Sequence, residues 1–315
     1  MKPLISICIP NYNHGSLLKQ TLDAVFNQDL TDVEVIISDN ASTDASLDVI
    51  NQFKHKTQLT LLQQPQTVSM SAHWNKVVQA AKGQWVIMLC ADDLLLADSI
   101  SRLKNIAKSN QVQAIFFEYD FLINDIRTPK TAFYQDNVII PGSAQSEIFL
   151  KSNNFPLTAC MFQKQLLQDI GWFDQTKNFC TDWHAWLNMS AIAKQVAYVK
   201  APLFLYRKHE ENETNRCVQQ LIALDEVIAM KDEFIEKYQL SNVNLIRGVI
   251  LNSLKLANRY RDEMHNNGLL KEAAFYQEKI SELENKLSQI TIDKPELPSG
   301  SAPYAPPAGS ILLNA

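Results

Sequence analysis

The chain carries no excess of positive charge, no paired cysteines and no long apolar run, and each absence removes a class of function. With 29 Lys and Arg against 34 Asp and Glu the net charge is -5, so no basic field favours a nucleic-acid backbone. The five cysteines (8, 90, 160, 180 and 217) are odd in number and scattered, with no C-x-x-C spacing. That argues against a disulfide framework and against a zinc site, and fits reduced thiols in a cytosol. No stretch approaches the roughly 20 apolar residues that span a bilayer. The opening MKPLISICIPNYN is short, ends in Pro-Asn and has no small-residue cleavage site, which reads against a signal peptide. A cytoplasmic protein is expected, associated with a membrane only peripherally, at its inner face.

What is present is a regular alternation. Hydrophobic residues make up 46% of the 315, enough for one large domain with a helical appendage. Residues 4 to 9 read as a buried strand closed by Pro10, and Leu17, Leu18, Leu22, Val25 and Phe26 follow at helical spacing. Val33 to Ile37, Leu59 to Leu62 and Trp85 to Leu89 make further strands. A helix opening near Ser42 to Asp44, where side chains can cap, and a helix from Ser71 to Lys82, closed by Gly83, separate them. Nearly continuous apolar strands between helices predict an α/β fold, a mostly parallel sheet with helices on both faces.

Further on, Val112 to Tyr119 reads as a strand, and residues 124–142 as an irregular, mobile loop. A helix follows near Ser143 to Lys151, then an apolar piece at Ala159 to Phe162, and two strands at Gln195 to Val199 and Leu203 to Tyr206. Three parts are expected: a catalytic domain over 1–215, a helical C-terminal region over 216–291, and a disordered proline-rich tail over 292–315. Leu269, Ala273, Tyr276, Ile280, Leu283, Leu287 and Ile290 alternate by four and three. This seam suits either a short coiled coil that makes a homo-oligomer or a helix packed on its own domain.

Ligands of such sheets bind at the carboxyl ends of the strands, and the loops there are acidic. Asp92 and Asp93 follow the strand ending at Leu89; they can cap the next helix, or hold one hard divalent cation together with a ribose hydroxyl. Asp39 opens Asp-Asn-Ala-Ser-Thr-Asp, a turn and capping sequence that also offers an acceptor to the imide N–H of a uracil or thymine. Tyr12, after the first strand, can stack on such a base or simply pack.

Three strings in order, Ile9-Pro10-Asn11-Tyr12-Asn13, Ser38 to Asp44, and Ala81 to Asp93, resemble the family 2 glycosyltransferases over roughly residues 3 to 215. The resemblance implies a GT-A type fold and inverting transfer from a nucleotide-sugar donor to a glycan or glycoconjugate acceptor. It implies a divalent metal, manganese or magnesium. It puts Pro10, Tyr12, Asn13, Asp39, Asn75 and Asp92 at the nucleotide sugar and Asp93 at the metal. Cys90 stands where many relatives carry a further Asp, and an arginine often found before Asn75 is missing, which shifts pyrophosphate neutralisation to the metal or to a lysine such as Lys76.

Gly171-Trp172-Phe173-Asp174 with Cys180-Thr181-Asp182-Trp183 is similar to the family segment that ends in Glu-Asp and supplies the base, so Asp182 is the implied base although Thr181 replaces the Glu. By the sequence alone Asp182 reads first as a cap for the helix His184 to Ala193, and the resemblance reverses that preference. Tyr206 to Asn212 resembles a further family segment, in which His209 reaches the metal or diphosphate and Arg207 the phosphate; its bland reading is an exposed polar loop. Two other readings compete. A nucleotidyl transferase needs a glycine-rich basic loop, whereas Pro10 to Gly15 has one glycine and no Lys or Arg. A non-catalytic sugar-nucleotide scaffold acting through its helical C-terminus is the other, raised by the altered Cys90 and Thr181.

Overall fold

The computed structural model describes residues 2–109, 111–209, 213–290 and 303–313. Strands β1 (Ile5–Asn11), β2 (Val33–Asp39), β3 (Leu59–Gln63) and β4 (Trp85–Met88) alternate with helices α1 (Gly15–Phe26), α2 (Ser46–Gln52) and α3 (Met70–Ala80). Both faces of β1 are buried, as its unbroken apolar run demands, and α1 presents Leu18, Leu22 and Val25 to the core. The chain goes on through β5 (Leu94–Leu95), α4 (Ser99–Ser109), β6 (Ala114–Ile123), β7 (Ile126–Thr128), β8 (Val138–Pro141), α5 (Gly142–Lys151), β9 (Cys160–Gln163), α6 (Lys164–Asp169), α7 (Thr181–Ile192) and β10 (Gln195–Lys208). Helices α8 (Glu213–Gln219), α9 (Ala223–Lys237), α10 (Val243–Asn266) and α11 (Leu270–Ser288) follow, and β11 (Ile311–Leu312) ends the described chain.

One sheet runs in the order β11-β8-β10-β6-β9-β4-β1-β2-β3, with β5 on β10 and β7 on β6. The β3-β2-β1-β4 part is parallel, β9 is antiparallel to both neighbours, and β6 and β10 are parallel to each other. Register decides what meets at the carboxyl edge. Asn11 lies opposite Asp39, while β4 ends with Met88 opposite Cys8, so Asp92 emerges just beyond the level of Asn11. The antiparallel pairing of Leu94 and Leu95 with Leu205 and Phe204 returns the end of β10 over the acidic pair.

Several expectations change. The two strands of Gln195 to Tyr206 are one strand with register shifts at Val199, Pro202 and Phe204, where a proline without an N–H breaks the ladder. Residues 124–142 are only partly irregular: β7 and β8 flank an irregular stretch over 129–137, in which Phe133 and Tyr134 are buried, since aromatic side chains of this size repay burial. Helix α3 stops at Ala80, with Ala81 extended; Gly83 does not cap it but lies against β1, where a Cβ would meet the Ser6 Oγ at 2.6 Å. Of the expected disordered tail, residues 303–313 pack on the sheet: Tyr304 meets Phe133 and β11 pairs with β8. The rest of that tail lies outside the described residues.

The helical region shares its packing with the sheet. Val227, Met230, Phe234, Leu245 and Val249 belong to the main core, and a second core gathers Cys217, Tyr260, Met264, Tyr276 and Ile280. In α11, Ala273, Tyr276, Ile280 and Leu283 are buried, α10 is the main neighbour, and the Tyr276 hydroxyl donates to the Val218 carbonyl at 2.7 Å. The heptad seam is filled within the chain, so an oligomer through that seam is withdrawn. Among the described residues no helix is long and apolar enough to cross a membrane.

Candidate functional site

Asp39, 1% exposed, closes its own turn: Oδ1 accepts from the Asn11 amide at 2.9 Å and Oδ2 from the Ser42 N–H at 3.0 Å. The turn role weighed for Asp39 is thus the one these bonds form. Ser42 does not cap α2. Its hydroxyl accepts from the Asn13 N–H at 3.0 Å, and it is Asp44 that meets the helix start, accepting from Ser46 N–H at 2.9 Å and from Gly15 N–H at 2.7 Å. A Cβ on Gly15 would stand 2.7 Å from the Ser46 nitrogen, so the two helices can approach only at a glycine. Asn13 takes the left-handed conformation (φ 56°), which asparagine tolerates, and accepts from Thr43 N–H. Pro10 lies opposite Ser38. The Tyr12 ring, 47% exposed, is open to a partner. Beneath this loop His73 is buried against the Ser38 hydroxyl at 2.9 Å; burial lowers its pKa to about 4, so it is a neutral imidazole.

Asp93 is 1% exposed and faces inward: the Thr158 hydroxyl donates to Oδ2 at 2.7 Å and the Arg207 N–H to Oδ1 at 3.0 Å. Burial first, and the Asp92 charge second, push its carboxyl well above the usual carboxylate range. His209 does not meet Asp93; its Nε2 lies 2.9 Å from Asp92 Oδ2. Cys90, Asp92 and Asp93 bring ligand atoms within 4.8 Å of one another. Burial raises the Cys90 thiol, so it stays protonated. Two carboxylates crowded together with little solvent call for a positive charge between them, and their oxygens suit a hard divalent cation.

Asp182 lies in the first turn of α7. It does not cap the helix, because the cap position is Cys180. Its Oδ1 accepts from Trp183 N–H at 2.6 Å and from the Asn153 amide at 3.5 Å. Burial outweighs these bonds and raises its pKa to about 7. Its charge contributes, after burial and the charges of Asp93 and Asp92, to raising the Cys90 thiol.

Two expected roles change. The Asn75 amide is spent on the backbone of Phe173, donating to its carbonyl at 2.8 Å and accepting from its N–H at 2.9 Å, so it braces the 171–174 loop instead of the nucleotide. The Arg207 guanidinium does not wait for phosphate: it is buried on the Asp92 carbonyl, Asp125 and Gln20. Lys76 is held by Gln64 at 2.7 Å. Glu210, Glu211 and Asn212 lie outside the described residues. Conversely Thr158 and Asn153 enter the site without any motif marking them, and Asn11, which stands in the first family-like string without an assigned role, donates to Asp39.

The chain can be set beside known proteins. Residues 6–171 match the family model described as glycosyl transferase family 2. A poly(ribitol-phosphate) beta-glucosyltransferase of Bacillus spizizenii is 33% identical over 138 residues, 42% of this chain and 22% of that protein. A chondroitin synthase of Pasteurella multocida is 33% identical over 116 residues, covering 36% and 12%. The beta-N-acetylglucosaminyltransferase TarP of Staphylococcus aureus, also acting on poly(ribitol-phosphate), is 29% identical over 168 residues, covering 52% and 50%. The chain thus spans half or less of the length of these relatives. Among solved structures, S. aureus TarS 1–349 in complex with UDP-GlcNAc matches at a TM-score of 0.61, with 15% identity over 93% of each chain. The mannosyltransferase PcManGT of Pyrobaculum calidifontis, in complex with GDP-Man and Mn2+, matches at 0.54 and 17% identity, over 90% of this chain and 85% of that one. At these identities the likeness is one of fold, and that fold is the α/β GT-A type.

Proposed function

The chain belongs to glycosyl transferase family 2, and from that premise we propose that it is an inverting enzyme moving a sugar from a nucleotide-diphosphate donor to a hydroxyl of a glycan or glycoconjugate. A UDP- or dTDP-sugar is the donor, and surface polysaccharide assembly at the cytoplasmic face of a membrane is the setting. The relatives named for poly(ribitol-phosphate) and chondroitin, and the neighbour bound to UDP-GlcNAc, support this reading. The observation that carries it is the strand-end cluster of Cys90, Asp92 and Asp93, whose ligand atoms lie within 4.8 Å of one another, with the Asp182 carboxyl, its pKa raised by burial, as the candidate base.

Residues 1–215 supply the reacting groups. Asp39 accepts from the base, Tyr12 stacks on it, and Pro10 and Asn13 shape the loop around it. Asp92 and Asp93 would hold a divalent cation, manganese or magnesium, with His209 at the rim; when bound it supplies positive charge that offsets the leaving diphosphate. An acceptor hydroxyl attacking the anomeric carbon must lose its proton as the new bond forms, and Asp182 accepts it. A base with a pKa near 7 is ionised at working pH yet basic enough to take that proton. In-line attack inverts the anomeric centre.

Asp182→Asn is the test, because it keeps the size and the bond to Trp183 N–H. Turnover is expected to fall about 10²- to 10⁴-fold while the donor still binds, as read by calorimetry. Unchanged turnover would remove Asp182 from the mechanism.

A further inference from the structure

The segment entering α7, Lys177-Asn178-Phe179-Cys180, has no Ser, Thr, Asp or Asn at the cap position, and Cys180 makes no side-chain cap bond. Three successive N–H groups are left facing one way, a concave array that attracts an anion. The anion is Glu226 of α9. Its carboxylate accepts from the N–H of Asn178 at 2.8 Å, of Phe179 at 2.8 Å and of Cys180 at 3.3 Å, and from the Asn178 amide at 3.1 Å.

Other contacts of the same helix fix the surroundings. Lys177 pairs with Glu233 at 2.9 Å, and the Thr181 hydroxyl donates back to the Lys177 carbonyl at 2.8 Å. Lys231 donates to the Lys151 carbonyl at 3.0 Å and stands 5.0 Å from the Trp183 ring; Lys237 reaches Asn188 at 3.0 Å. Asp182 itself is held lightly, by its neighbour's N–H and by a 3.5 Å contact with Asn153. Its place is therefore set by the backbone of the first turn of α7, and that backbone is set from α9.

We propose that Glu226 is a positioning residue: its carboxylate, seated on the N–H groups of residues 178–180, fixes the first turn of α7 and so holds Asp182 at the reacting centre. The helical region is on this account part of the catalytic device. The inference rests on the reading of Asp182 as the base.

The full chain is assayed as Glu226→Ala and Glu226→Gln. Misplacing a reacting group by about an ångström costs on the order of a hundredfold, so Glu226→Ala is expected to lower kcat about tenfold to a hundredfold. Glu226→Gln, which keeps one acceptor oxygen, should fall between it and the parent, with donor affinity within about twofold throughout. If Glu226→Ala does not fold, Glu226→Gln alone carries the comparison. Asp232→Ala removes an exposed pair between α9 and Lys286 and should leave kcat unchanged. Wild-type kcat in the Glu226 variants would overturn the proposal. So would equal losses of kcat and donor affinity, or an equal loss in Asp232→Ala. Asp182→Asn run alongside separates the two readings: inactive Asp182→Asn with normal Glu226 variants sinks only the positioning role, whereas active Asp182→Asn sinks the base.

Discussion

Asp39 and Asp93 stand at strand ends and are held from within the sheet edge, by Asn11, Ser42, Thr158 and the Arg207 N–H, whereas Asp182 rides on a helix whose first turn is held by a different layer of the molecule. Their electrostatics differ in the same way. Asp93 is pushed up by burial together with a like charge, so an added cation brings it back; Asp182 is pushed up by burial with no charged neighbour among its main causes. The first arrangement suits a group that binds a cation and the second a group that exchanges a proton.

The contrast breaks most sharply at Asp92. Asp92→Asn removes one of the two charges that favour a cation, and a lost metal contribution of several kcal/mol corresponds to on the order of a thousandfold in turnover. Thermal stabilisation by a sugar nucleotide, compared with and without manganese, checks it. The variant is expected to lose the manganese-dependent part of the shift, and Asp182→Asn is expected to keep it. Equal shifts in the two variants would erase the distinction between the two sides.

A smaller effect follows from pH. A base must be ionised to act, and Asp182 has a pKa raised to about 7, so turnover at saturating donor should fall as pH drops below about 7. The loss approaches tenfold per pH unit and reaches about a hundredfold near pH 5. A pH profile flat from 5 to 8 would mean that the limiting group is elsewhere.

The difference between the two sides also explains what was legible in the sequence. The strand-end acids could be found because an apolar run, its end and the next polar residues are contiguous, and parallel register then brings Asn11 level with Asp39. Asp182 was found only by its resemblance to a family segment, since a carboxylate in a first helical turn has the same local signature whether or not it does chemistry. Thr158 and Glu226 were invisible: each acts on a residue distant in sequence, Thr158 on Asp93 and Glu226 on residues 178–180. Asn75 shows the converse failure, a motif residue in the expected place whose amide is taken by the backbone of Phe173. The terminal heptads were read with the correct period, but periodicity does not say which surface covers the seam, and here it is mainly α10.

The smallest effect is on stability, and its sign is opposite to that of an ion-paired carboxylate. The pKa of Asp182 is raised in the folded state to about 7 from an ordinary 3.8, so the folded chain binds this proton more tightly than the unfolded chain. Its contribution to stability is fully present below about 4 and is lost as pH rises through about 7. Above that, the native state carries a buried charge that Trp183 N–H and Asn153 only partly satisfy. Asp182→Asn removes the charge and keeps an oxygen for Trp183 N–H, so at pH 8 it should unfold at higher urea. With the partial exposure of the side chain taken into account, the gain is on the order of 1–2 kcal/mol. The gap between the two proteins should close as pH is lowered towards 4, where both carry a neutral group. A gap that is constant with pH, or an Asp182→Asn protein less stable at pH 8, would show that the Asp182 carboxylate is ionised without strain.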